Sequence, residues 1–174
     1  MTSRARPLAS ISLDLDNLWS YLKTHGSEDW RSRPTYLPEF APVMLELLNE
    51  LGLRITFFVV GVDADRDENA DAIRALATAG HEMGNHSYEH EPWLHLYSAD
   101  QIDEELARTE SAISRVTGAK VDGFRGPGYS WSPLLLETLA RRGYRFDAST
   151  LPTWIGPLAR AYYFSSAKLT PAQR

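Results

Sequence analysis

The chain contains no cysteine. Disulfides and thiolate chemistry are thereby excluded, and any metal must sit on His, Asp or Glu. No apolar run is long enough to span a bilayer, and no long apolar segment follows the charged residues 1–7. Neither a transmembrane segment nor a signal peptide is expected, which places the protein in the cytoplasm. Basic residues are few: 18 Lys and Arg stand against 23 Asp and Glu, a formal charge of -5. A nucleic-acid binder needs a basic surface that tracks phosphates, so that class is set aside. The one basic run, Ala140-Arg141-Arg142-Gly143, reads as cations complementing a helix C-terminus. Histidine is also scarce, with five residues and none after His95. Internal repeats, low-complexity tracts and long linkers are absent.

What remains is ordinary for one soluble domain. The 174 residues, 43% hydrophobic and 24% charged, suit a single unit over residues 1–174 with one core. Strand-like and helix-like segments alternate. Residues 8–15 read as a strand with Ile11, Leu13 and Leu15 on one face and Ser12, Asp14 and Asp16 on the other. Leu37, Phe40, Met44, Leu47, Leu48 and Leu51 recur at helical spacing up to Gly52. Residues 54–60 are a β-branched and aromatic run, the pattern of a buried strand. A helix over 68–79 ends at Gly80, and a short strand follows at 81–85. Ser98 and Gln101 form a capping box that opens a helix to about residue 116. A strand at 121–125, a helix from Ser132-Pro133 to Gly143 and a strand at 144–148 complete the pattern, with a sixth strand candidate at 162–165. Such alternation implies a parallel sheet with helices outside. Both an open doubly wound sheet and a barrel fit it. In either architecture ligands bind at the C-terminal ends of the strands.

The residues that carry chemistry cluster at those ends. His86 and His90 are four apart, one helical turn, so both rings can face one point. Asp14 and Asp16 share a strand face whose opposite side is apolar. Two such carboxylates repel unless a cation sits beside them. Two imidazoles and one carboxylate hold a divalent ion with positions left open, and the second carboxylate can then accept a proton from activated water. Arg125 precedes Gly126-Pro127-Gly128, a turn that brings backbone close to a ligand. Its guanidinium is suited to pairing with a carboxylate. Trp19 and Trp131 follow these segments closely and are candidates to stack on a sugar ring. Trp30, Trp93 and Trp154 are assigned to the core, and His25, His81 and His95 to structural or surface positions.

Together the segments resemble the polysaccharide deacetylases, the NodB-homology group of carbohydrate esterases. Asp14-Leu15-Asp16 is similar to the family's first motif. His86-Ser87-Tyr88-Glu89-His90, within its flank Gly80 to Asn85, is similar to the second, and Arg125-Gly126-Pro127 to the third. Thr56-Phe57-Phe58 before a glycine is a further family-like strand. The resemblance covers residues 9–150. It implies an irregular (β/α) barrel, C-terminally incomplete here. A divalent metal, zinc first and cobalt as an alternative, would sit on Asp16, His86 and His90. Asp14 would be the general base and Arg125 its orienting partner, and a backbone N–H at Gly128 or Tyr129 would steady the oxyanion. The implied reaction removes an N-acetyl group from an amino sugar or glycan by metal-assisted attack of water on the amide. Two departures stand out. The family's late acid histidine is missing, and Asp147 and Trp154 are near each other but not adjacent as in its fourth motif. Two other readings therefore stay open: a deformylase or other C–N amide hydrolase on the same site, and a carbohydrate-binding pseudoenzyme.

Overall fold

The computed structural model describes residues 8–150 together with Leu158, Ala161, Tyr162 and Ser165. Five strands form one parallel sheet in the order β1-β2-β3-β4-β5: Ser12–Asp14, Thr56–Val59, Glu82–Asn85, Gly123–Phe124 and Phe146–Asp147. The longer helices between them are α1 Leu18–Thr24, α2 Leu37–Glu50, α4 Asp67–Thr78, α5 Ala99–Thr117 and α6 Pro133–Arg142, and the single turn Gly61–Ala64 is α3. All neighbouring strands are parallel. A doubly wound sheet reverses its strand order at a switch point. Here the order runs straight through, and crossovers of one hand place α2, α4, α5 and α6 on the same side. The barrel alternative is therefore the one adopted.

Curvature follows from one side chain. Neighbouring strands lie about 4.8 Å apart, so β1 and β4 of a flat sheet would stand about 14 Å apart. Yet the Arg125 guanidinium, just past β4, donates to Asp14 Oδ1 at 2.7 Å and Ser12 Oγ at 2.6 Å, both on β1. The Phe58 and Phe146 rings, on β2 and β5, likewise approach to 6.4 Å on the inner face. Only a sheet curled inward permits both contacts.

Strand periodicity decides which residues face in. Leu13, Phe57, Val59 and Met83 face out and pack with Leu37, Ala41 and Leu48 of α2, Ile73 and Leu76 of α4, and Ala112, Ile113 and Val116 of α5. A second cluster, Leu94, Ile102, Leu106, Phe124, Leu135 and Leu139, seats α5 and α6. Burial of each such aliphatic side chain contributes about 1.5–3 kcal/mol as an upper estimate. Both predicted caps are present. Ser98 Oγ accepts from Gln101 N and Gln101 Oε1 from Ser98 N, and Ser132 Oγ accepts from Leu135 N. The Arg141-Arg142 run is tied to α5, with Arg142 on Glu110 at 2.6 Å and on Asp103 at 2.9 Å.

The structure departs from expectation at the element ends and in two places outright. Every strand is shorter than its apolar pattern, and most of the residues it loses are at the N-terminal end, away from the site. The short α1 was not expected. Its N-cap residue Asn17 makes no side-chain cap and instead bonds Thr35 Oγ1 and Tyr36 N, so no capping signature marks it. Tyr162 and Ser165 are helical rather than in a sixth strand, with Ser165 Oγ donating back to the Tyr162 carbonyl at 2.7 Å. Tyr163, Phe164 and Trp154 lie outside the described residues.

Curling leaves little room on the inner face. A methyl group on Gly84 would press into the buried Phe58 ring at 2.5 Å. Gly84→Ala is expected to cost about 1–3 kcal/mol in urea unfolding. Combined with Phe58→Leu it should cost less than the sum of the two single changes. Strict additivity would show that the two side chains do not compete for that space.

Candidate metal centre

Asp16 lies just past β1, and His86 and His90 follow β3, so neighbouring crossovers deliver all three to one rim of the sheet. Asp16 Oδ1 is 3.3 Å from His86 Nε2 and 3.2 Å from His90 Nε2. One ligand atom from each of the three lies within 4.8 Å of the others, the only such group of three or more His, Asp or Glu among the described residues.

The histidines do not share a helical turn. They sit in a loop where Ser87 has φ 58° and His90 φ 53°. A left-handed non-glycine residue costs of order 1–3 kcal/mol, so neighbours must hold it. Asn85 Oδ1 accepts from Ser87 N at 2.8 Å, and the buried Glu105 carboxylate of α5 accepts from Tyr88 N at 2.8 Å and Glu89 N at 2.9 Å. From the other side, Lys23 of α1 binds the Glu89 carbonyl, the Glu89 carboxylate and Glu91 at 2.8–2.9 Å. Thus the reversal of the loop, rather than helical spacing, brings the ring centroids to 5.0 Å.

The donor set fits a cation. His86 Nδ1 lies 2.6 Å from the Arg125 carbonyl, which can only accept, so Nδ1 carries a proton and Nε2 is turned toward Asp16. Asp16 Oδ1 and both ring nitrogens of His90 are buried and have no hydrogen-bond partner. Buried polar atoms left this way are costly unless a shared ion satisfies them. Burial by itself would raise the Asp16 pKa, but the two imidazoles hold it well below the usual carboxylate range. Burial likewise pulls His86 down, yet the facing Asp16 carboxylate prevails and raises it.

Asp14 stands beside this group. Its Oδ2 is 3.9 Å from His86 Nε2, while Oδ1 is held by Arg125. Arg125 is itself fixed by Ser12 Oγ, by the Ala148 carbonyl at 3.3 Å and by the Phe58 ring beneath it at 4.3 Å. The glycine turn is built as expected, with Gly128 at φ 58° packing on Pro92. The Tyr129 N–H donates to the Gly126 carbonyl at 2.9 Å and closes the turn. It is therefore not presented to a ligand, and Gly128 is left as the oxyanion candidate of the pair. Trp19 is a second correction. It is fully buried and donates Nε1 to Asp63 at 2.8 Å, so it cannot stack on a sugar, whereas Trp131 is 47% exposed. His95 and Ser130 bond each other at 2.8 Å, His25 bonds the Tyr21 carbonyl and His81 accepts from Ile55 N.

Several contributors carried no sequence signal of their own. Tyr21 of α1 donates to Asp16 Oδ2 at 3.0 Å. Ser12, Glu105 and Lys23 act through the contacts above. Asp63 is buried, and burial pushes its pKa up to about 6 against the opposing Trp19 hydrogen bond. Its place just past β2 was the one available clue, since that is the end of the sheet where ligands bind.

A polysaccharide deacetylase family model matches residues 25–146, most of the chain, including His86, His90 and Arg125 but not Asp14 or Asp16. The chain belongs to the polysaccharide deacetylase family. It is 27% identical over 148 residues to a peptidoglycan deacetylase of Helicobacter pylori, covering 83% of this chain and 50% of that protein. With a chitin deacetylase of Colletotrichum lindemuthianum it shares 32% over 117 residues, 66% of this chain and 47% of that one. Among solved structures, a Mycobacterium smegmatis protein assigned to the polysaccharide deacetylases aligns with a TM-score of 0.70 at 28% identity, over 83% of this chain and 55% of that chain. A family 4 carbohydrate esterase of Streptomyces lividans, solved with acetate, aligns at 0.58 and 26%, over 79% and 60%. The chain thus spans about half the length of these curated relatives. No helix among the described residues is long and apolar enough to cross a membrane.

Since Glu105 fastens the strained loop, Glu105→Ala is expected to weaken zinc or cobalt binding about 10–100-fold. Equilibrium titration of the purified protein would measure this, with unchanged affinity refuting the fastening role.

Proposed function

We propose that this chain is a metal-dependent hydrolase that removes an N-acetyl group from an amino sugar of an oligosaccharide or glycan. The observation that carries the reading is the set of buried, unpartnered ligand atoms on Asp16 and His90, with His86 Nε2 beside them and a second carboxylate at the edge. Asp16, His86 and His90 would hold the ion. Zinc suits two imidazoles and one carboxylate, and cobalt can replace it. A divalent ion held there supplies Lewis acidity toward water and an acyl carbonyl.

The chain's own residues do the rest. Arg125 occupies Asp14 Oδ1 and thereby fixes which carboxylate oxygen faces the rim. Asp14 Oδ2, on the side of His86 Nε2, accepts the proton of the attacking water. The Gly128 N–H supports the negative charge that develops on the carbonyl oxygen. Trp131, exposed just beyond the glycine turn, offers a flat face to a sugar ring. The peptidoglycan and chitin named for the relatives are both N-acetylated glycans, which supports that substrate class. Loss of acetyl from the amide leaves acetate and a free amine. Proton delivery to that amine commonly contributes ~10²–10⁴-fold, and no histidine beyond the two ligands joins the cluster among the described residues.

Asp14→Asn is expected to retain metal and lose about 10²-fold or more of acetate release, while His86→Ala and His90→Ala lose the metal. Substantial activity in the first, or full metal content in both of the others, would refute the assignment. Release of formate or ammonia in place of acetate would move the activity to another amide. For Trp131→Ala the expected change is a higher KM with kcat largely retained, measured on chitooligosaccharides. An unchanged KM would remove Trp131 from the substrate path.

A further inference from the structure

We infer that Tyr21 is a positioning residue that makes Asp16 a one-oxygen ligand. The inference rests on the metal-site reading above and adds a residue to it. Asp16 presents its two oxygens to different partners. Oδ1 faces the histidines at 3.2–3.3 Å, and Oδ2 accepts from the Tyr21 hydroxyl at 3.0 Å. The fold sets this division. The chain leaves Asp16, passes the extended Asn17 and enters α1, whose inner residues Trp19, Ser20 and Thr24 are buried. Trp19 is fastened to Asp63 and Lys23 to Glu89 and Glu91, so the helix cannot rotate about its axis. Tyr21, 45% exposed, is thereby carried back over Asp16, its ring 6.3 Å from His90.

The chemical consequence concerns coordination number. A carboxylate with both oxygens available can bind a cation through both and fill two positions. With Oδ2 engaged by a phenol, Asp16 contributes one atom. Three protein ligands then leave the remaining positions to water and the acyl oxygen, the arrangement of hydrolytic rather than purely structural zinc sites.

The test uses the full chain loaded with Co²⁺, comparing wild type, Tyr21→Phe, Tyr21→Gln and, as an exposed control on the same helix, Leu18→Ala. Tyr21→Phe should bind Co²⁺ and Zn²⁺ about 10-fold more weakly. Its visible cobalt absorption should weaken as the freed oxygen raises the coordination number. Tyr21→Gln, which keeps a donor, should recover part of the affinity, and Leu18→Ala should match wild type. Melting of the metal-free proteins shows that the variants are folded. Unchanged affinity and spectrum in Tyr21→Phe, beside intact wild-type binding, overturns the inference alone. Equal losses in the Phe and Gln variants assign the effect to ring packing and also overturn it. Wild-type protein that takes up no Co²⁺ overturns both the inference and the metal site.

Discussion

The contact between Arg125 and β1 is the constraint on which the rest of the site depends. A guanidinium that reaches Asp14 and Ser12 from the end of β4 is possible only on a curled sheet, and the curl brings the rims of β1, β3 and β4 to a common point. The same residue acts through its backbone as well. Its carbonyl accepts the hydrogen bond of His86 Nδ1, and its N–H donates to the Asn85 carbonyl at 3.0 Å. Arg125 therefore sets the orientation of one carboxylate and the tautomer of one imidazole. The first link spans β1 to β4 and would not survive a flat sheet, whereas the second joins the neighbouring strands β3 and β4.

Much of this was legible in the amino-acid sequence, for identifiable reasons. The alternation of apolar runs and periodic segments located all five strands. Side-chain caps and glycine stops fixed the ends of α5 and α6, because Ser98, Gln101, Ser132 and Gly143 act on their immediate neighbours. The grouping of Asp16 with His86 and His90 was legible in part, because Asp14 and Asp16 share a strand face and the two histidines lie close in sequence; the preference for Asp16 over Asp14 came from the family resemblance. The choice between barrel and doubly wound sheet was not, since strand order is a property of long-range pairing. Equally hidden were contacts between distant segments. Nothing adjacent to Glu105 marks it as the acceptor for a loop sixteen residues earlier. Nothing near Trp19 distinguishes an indole pinned to Asp63 from one facing a sugar.

The histidine loop shows how a correct grouping of residues can rest on the wrong geometry. Helical spacing and a reversing loop both bring positions four apart together, but they make different demands. A helix satisfies its own backbone, whereas this loop turns its N–H groups outward. It relies on Asn85 and Glu105 to accept them. The left-handed His90 is consistent with backbone strain gathering where ligands are held. The side chains that support such a loop thus belong to the site as much as the imidazoles do.

The ammonium of Lys23 closes the arrangement. It ties α1, which follows Asp16, to Glu89 and Glu91, which flank His90. It also lies 5.5 Å from the Trp30 ring centre and 5.9 Å from that of Trp19. Two stretches of chain some seventy residues apart in sequence are in this way locked into one rigid frame. If Asp16, His86 and His90 hold the proposed ion, they meet it already in place, and little of its binding energy would be diverted into ordering the polypeptide. Selectivity among divalent ions would then be a matter of fit to a set size rather than of how far the protein can adapt.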